Sequence, residues 1–114
     1  MPSSKNFHDL KLKPDLLGNL ADLGYTEMTL VQAETLPLLL AGVDVLARAK
    51  TGSGKTAAFG LGILNRLDVA SFKVQALVLC PTRELADQVA KEIRRLARSI
   101  PNIKVLSVCG GAPL

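Results

Sequence analysis

The sequence predicts an α/β domain in which a parallel sheet is flanked by helices. Short apolar runs at 43–47, 76–80 and 103–109 alternate with longer segments of helical character, and that alternation is the pattern of a parallel sheet. The run from Ala76 to Cys80 is apolar throughout, which suits a strand covered on both faces. At 114 residues the chain fits one small domain, taken here as residues 1–114.

The elements follow in order. Pro14 can occupy the first turn of a helix reaching about Leu23, with Gly24 as its C-terminal stop. Thr29 reads as the N-cap of a second helix, because Gln32 stands three positions later and can complete a capping box. Pro37 removes a donor and is expected to keep that helix short, kinking or restarting it. Residues 43–47 form the first strand, followed by a glycine-rich turn and a helix from about Lys55 to Leu67. Ala57, Ala58, Phe59, Leu61, Ile63 and Leu64 surround that helix with apolar side chains, so it should be buried. Pro81 ends the second strand. From about Arg83 to Ser99 the periodicity is the clearest in the chain: Leu85, Val89, Ile93, Leu96 and Ile100 share one stripe. Asp87, Lys91, Arg94, Arg95 and Arg98 lie largely elsewhere, as a solvated face. The third strand, 103–109, ends at Gly110-Gly111.

Hydrophobic residues make up 48% of the chain but only four are aromatic (Phe7, Tyr25, Phe59 and Phe72), so the core must be Leu, Val, Ile and Ala. A net charge of +4 mildly favours an anionic partner. Cys80 and Cys109 form no CxxC pair or metal-ligand cluster and read as small core residues in a reducing compartment. The polar stretch from Met1 to Asp9 is no signal peptide, and the Leu-rich stretch from Leu36 to Val43 stops at Asp44, short of a membrane span. A soluble cytoplasmic protein is the expectation.

One segment carries explicit chemistry. Residues 49–56, Ala49-Lys50-Thr51-Gly52-Ser53-Gly54-Lys55-Thr56, follow the phosphate-binding-loop pattern with Ala at the first glycine position. Gly52 and Gly54 allow a tight turn whose N–H groups converge on phosphate oxygens, together with the positive end of the helix that follows. Lys55 supplies a cation for the β- and γ-phosphates, and Thr56 a hydroxyl for Mg²⁺. Its place between a predicted strand and a predicted helix is the context the motif requires.

Three further segments, in order and spacing, resemble the DEAD-box family of ATP-dependent RNA helicases. Residues 24–32, Gly24-Tyr25-Thr26-Glu27-Met28-Thr29-Leu30-Val31-Gln32, look like the family's Q motif, with Phe7 as its upstream aromatic. Residues 81–86, Pro81-Thr82-Arg83-Glu84-Leu85-Ala86, match its motif Ia, and residues 110–111 match its glycine pair. Met28 and Leu30 stand where the family often has prolines. The resemblance implies a RecA-like P-loop domain, incomplete at its C-terminus, with ATP and Mg²⁺ as cofactors and RNA as partner. It assigns Phe7 and Gln32 to the adenine, Ala49 and Thr51 to Thr56 to the phosphates, and Pro81, Thr82, Arg83, Gly110 and Gly111 to RNA. A glutamine amide can pair with N6 and N7 of adenine together, and a capping role for Gln32 can coexist with that. Phe7 could stack on the base or anchor the N-terminus in the core. Thr82 and Arg83 fall at a helix start, where hydroxyl, guanidinium and free N–H groups suit a phosphate. The stretches from Ala49 to Gly62 and from Ala76 to Ala90 look closest to a bacterial member that serves ribosome assembly, which implies ribosomal RNA.

No Asp-Glu-Ala-Asp or Ser-Ala-Thr run occurs within the 114 residues. The chain is therefore expected to bind ATP weakly at best, to hydrolyse none on its own, and to aggregate through unpaired strands. A different P-loop enzyme, or a non-catalytic nucleotide-binding fragment, are the competing readings.

Overall fold

A computed structural model of the chain describes residues 6–50 and 52–108. In order, these residues form a 3₁₀ turn at Phe7–Asp9 and helices α1 (Pro14–Asp22), α2 (Leu30–Leu40), α3 (Lys55–Arg66) and α4 (Arg83–Leu96).

The helix ends obey local chemistry. Pro14 opens α1, where its missing N–H costs nothing. Gly24, at φ 84°, closes it: its N–H bonds the Ala21 carbonyl at 3.1 Å and the Tyr25 N–H bonds that of Leu20 at 2.8 Å, the double closure that a left-handed glycine permits. Thr29 caps α2 with both arms of the capping box in place. Pro37 neither ends nor restarts α2, contrary to expectation. The helix runs through it to Leu40, and the Pro37 carbonyl accepts the Ala41 N–H at 3.2 Å. Near the C-terminal end of the helix, the proline forfeits one interior bond while the turns around it stay closed.

Helix α3 packs between α2 and α4, and α1 touches both α3 and α4. Two glycines allow the close approach. A β-carbon on Gly60 would lie 3.3 Å from Leu96 Cδ1, and one on Gly62 would lie 3.3 Å from Leu39 Cβ. Phe7, Leu16, Leu20, Leu36, Leu61, Leu64 and Leu96 form the centre of the core, each buried leucine contributing about 1.5–3 kcal/mol. Buried Asn19 donates to the Leu96 carbonyl at 2.8 Å, satisfying an acceptor that the end of α4 leaves open.

The expected strands are not paired among the described residues, where the sole bridge is an isolated antiparallel one between Asn6 and Glu27. Residues 77–80 and 103–106 nevertheless keep a strand's two-residue rhythm of burial, whereas 43–47 are exposed apart from half-buried Val45. Val78, Cys80, Ile103 and Val105 pack on the helical core, while Leu77, Leu79 and Leu106 are 79%, 85% and 85% exposed. One face is covered by helices and the other is bare and apolar. Strands joined by helical crossovers need not be neighbours in the sheet, and the described residues provide no strand to lie between these three.

Candidate nucleotide-binding site

The glycine turn sits where α3 begins. Gly52 and Gly54 hold left-handed backbone at φ 82° and 89°, and the Ser53 N–H closes the turn on the Lys50 carbonyl at 3.2 Å. Gly54 is the N-cap of α3 and no side chain caps that end, which leaves the first-turn N–H groups without a capping acceptor, as an anion site would require. Ser53 Oγ is buried without a hydrogen-bond partner, so its hydroxyl is left to bond a group entering the loop. Lys55 is exposed and Thr56 half-buried beside it, and Ala49 is half-buried at the turn's approach. The donor set fits a phosphate group. Thr51, Gly110 and Gly111 lie outside the described residues, as does Cys109; Cys80 is a half-buried free thiol.

The Q-like segment reaches this loop directly. Gln32, 2% exposed, accepts the Thr29 N–H on Oε1 at 2.9 Å and donates from Nε2 to the Gly54 carbonyl at 3.1 Å. A side-chain amide offers two acceptor sites and two donors, so each atom retains one more bond. Those remaining bonds are the donor–acceptor pair an adenine edge needs. Phe7 lies in the core. Its ring is fully buried and meets Tyr25 edge-on, centroids 6.0 Å apart at 71°. Of its two expected roles, anchoring is the one this geometry displays, since stacking on a base needs an uncovered face.

At the start of α4, Thr82 Oγ1 accepts the Leu85 N–H at 3.1 Å and its hydroxyl hydrogen remains to be donated. Pro81, Thr82 and Arg83 are all exposed, with Glu84 in the same first turn.

Sequence reasoning missed one cluster. The Tyr25 hydroxyl donates to Glu92 Oε1 at 2.8 Å, Arg95 lies 3.4 Å from Glu92 Oε2, and its guanidinium stands 6.0 Å from the Tyr25 ring centroid. Burial, then the hydrogen bond to Glu92 and its charge, push the Tyr25 pKa above the usual phenol value, with Arg95 opposing. Tyr25 and Glu92 are 67 positions apart, and no local pattern connects them. The described residues hold no group of three or more His, Cys, Asp or Glu side chains suited to a metal ion. None of their helices is long and apolar enough to cross a membrane.

Known proteins are similar to this chain in sequence and in fold. The chain is 66% identical over 102 residues to the ATP-dependent RNA helicase DbpA of Escherichia coli (strain K12), an alignment covering 90% of this chain and 22% of that protein. It therefore spans about a fifth of that relative's length. Its fold matches a DEAD box protein from the hyperthermophile Methanococcus jannaschii with a TM-score of 0.89 at 35% identity, covering 96% of this chain and 30% of that one. Dbp5 of Saccharomyces cerevisiae, solved bound to RNA and ADP BeF3, matches with a TM-score of 0.78 at 34% identity over 83% of this chain and 25% of that one. These neighbours bear out the RecA-like α/β class, although the described residues form no sheet. The DEAD/DEAH box helicase family matches residues 29–114, and the chain belongs to that family.

Proposed function

We propose that this chain is the nucleotide-binding part of an ATP-dependent RNA helicase. The observation that carries the reading is the loop at the start of α3. Two left-handed glycines, an uncapped helix N-terminus and the unpartnered Ser53 hydroxyl converge there, with Gln32 bonded to Gly54. ATP is the nucleotide, because the Gln32 amide can pair with the adenine edge in a way that guanine's reversed donors and acceptors refuse. Ala49 and residues 51–54 cradle the phosphates with backbone N–H groups, and the Lys55 ammonium neutralises the β- and γ-oxygens. Mg²⁺, when bound, spreads the charge of the transferring phosphoryl group, and Thr56 is the side chain of this chain that would hold it.

Thr82 and Arg83 at the start of α4 are the RNA-phosphate contacts, with Pro81 shaping that turn and Gly110-Gly111 permitting close backbone approach. Such contacts position a strand without reading its sequence. The resemblance of residues 49–62 and 76–90 to a ribosome-assembly member of the family favours ribosomal RNA as the partner and the cytoplasm as the compartment. No Asp-Glu-Ala-Asp run occurs in residues 1–114, so the groups named here bind and orient ATP rather than activate water.

The test is ATP hydrolysis by the intact gene product with and without single-stranded RNA. Lys55→Ala should lower RNA-stimulated turnover by about a hundredfold or more; near-normal turnover would count decisively against this reading. Turnover that RNA does not stimulate would point instead to another class of P-loop ATPase.

A further inference from the structure

We propose that Tyr25 is a positioning residue: its hydrogen bond to Glu92 ties the adenine-reading segment to α4, so that nucleotide and RNA bind cooperatively. The inference rests on the function proposed above. It concerns how two sites on one chain communicate.

The connection is continuous from one site to the other. Tyr25 follows Gly24 in the closure of α1, and its N–H is held by Leu20 at 2.8 Å, so its backbone cannot drift. Its hydroxyl bonds Glu92 at 2.8 Å. Glu92 lies ten residues along α4 from the Thr82 cap, roughly 15 Å of rigid helix. Towards the nucleotide, the few residues between Tyr25 and Gln32 are pinned as well. The Phe7 N–H bonds the Thr26 carbonyl at 3.3 Å, Asn6 bridges Glu27, Met28 is buried, and the Thr29 N–H bonds Gln32 at 2.9 Å. A displacement at Gln32 therefore has a packed route to Thr82, and the Tyr25–Glu92 bond is the step where it passes from one segment to the other. Coupling carried this way is reciprocal: ATP must tighten RNA binding by the factor by which RNA tightens ATP binding.

The variants separate the bond from its surroundings. Tyr25→Phe keeps the ring against Phe7 and Arg95 and removes only the hydroxyl. Glu92→Gln keeps an oxygen to accept that hydroxyl, and Glu92→Ala removes it. The Arg95 contact is a half-exposed pair, with 52% of the Arg95 side chain open to solvent, and contributes little by itself.

The experiment measures the affinity of the intact gene product for a fluorescent ATP analogue, with and without a saturating short oligouridylate, and for the oligouridylate alone. Wild type should bind the analogue about fivefold or more tighter with RNA present. Tyr25→Phe and Glu92→Ala should cut that ratio by about threefold, leaving each single-ligand affinity within about twofold of wild type, and Glu92→Gln should retain most of it. An unchanged ratio in Tyr25→Phe overturns the proposal, as does a uniform loss of both affinities with the ratio intact, which would mark a purely structural contact. A Glu92→Gln variant as impaired as Glu92→Ala overturns it too. Wild type that binds both ligands without coupling sinks this inference alone; wild type that binds neither sinks the proposed function with it.

Discussion

Gln32 donates a 3.1 Å hydrogen bond to the Gly54 carbonyl, so the start of α2 and the turn before α3 are joined through a single side chain. The contact leaves no room at Gly54. A β-carbon there would stand 2.5 Å from Gln32 Nε2 and 2.9 Å from Thr29 Oγ1, on backbone at φ 89°. At Gly52 the backbone is equally left-handed, at φ 82°, but the space around it is open.

The two glycines should therefore respond differently to alanine. Gly52→Ala bears backbone strain alone, about 1–2 kcal/mol. Gly54→Ala adds a clash that must push Gln32 and Thr29 aside, bringing its cost to about 2–4 kcal/mol by adding loss of the α2 cap. Thermal unfolding should rank Gly54→Ala below Gly52→Ala, and binding of an ATP analogue should weaken about tenfold or more in the former.

Gln32 serves the cap and, in the proposed function, the base. Gln32→Ala removes one arm of the capping box and the Gly54 contact, at about 1 kcal/mol of stability. It should also bring the preference for ATP over GTP close to parity, read from competitive binding of the two nucleotides to the intact gene product. A preserved preference would return Gln32 to the capping role.

Legibility in the sequence followed the range of the interaction. Gly24 as a helix stop, the Thr29–Gln32 capping box and the turn at Gly52–Gly54 are settled by residues within a few positions of one another, and each stands where the pattern placed it. Pro37 misled because a lone proline rule ignores how near the helix end lies. The apolar run at 76–80 reads as a strand covered on both faces, yet only Val78 and Cys80 pack on the core while Leu77 and Leu79 are bare, because covering and pairing depend on which elements lie beside which. Phe7 could not be assigned between base and core from composition, and its burial depends on Tyr25, which is held in turn by α4. Tyr25 and Glu92 meet only because α1 and α4 pack together, and that no motif encodes.

The bare apolar face should govern the behaviour of the 114-residue chain in isolation. Leu77, Leu79 and Leu106 expose most of their side chains on the side opposite the helices, and unpaired, apolar extended segments favour association. Light scattering should rise with protein concentration, and the double variant Leu77→Lys with Leu79→Lys should suppress it. Because these side chains bury little in the monomer, the melting temperature should hardly move, in keeping with changes of about 0.5 kcal/mol at exposed sites. Wild-type chain that stays monodisperse as its concentration rises would contradict this.

Tyr25 sets an alkaline limit. Its pKa is raised in the folded chain by burial first and then by Glu92, so the folded state holds the phenolic proton at a pH where the unfolded state has released it. Between the two values the unfolded state binds fewer protons, and the unfolding free energy falls as pH rises. The Tyr25 contribution is thus complete below the unfolded value of about 10 and is lost as pH climbs through the folded one. As the one tyrosine in the chain, it can be titrated directly by tyrosinate absorbance, which should show a midpoint above that of the urea-unfolded chain. Denaturant midpoints measured from pH about 8 to about 11 should decline more steeply for wild type than for Tyr25→Phe, which differs only in that hydroxyl. Glu92→Gln removes the nearby negative charge and keeps the acceptor, so it should lower the absorbance midpoint without returning it to that of the unfolded chain, because burial remains the larger cause. Parallel slopes in wild type and Tyr25→Phe would show that the hydroxyl lies in water rather than against Glu92.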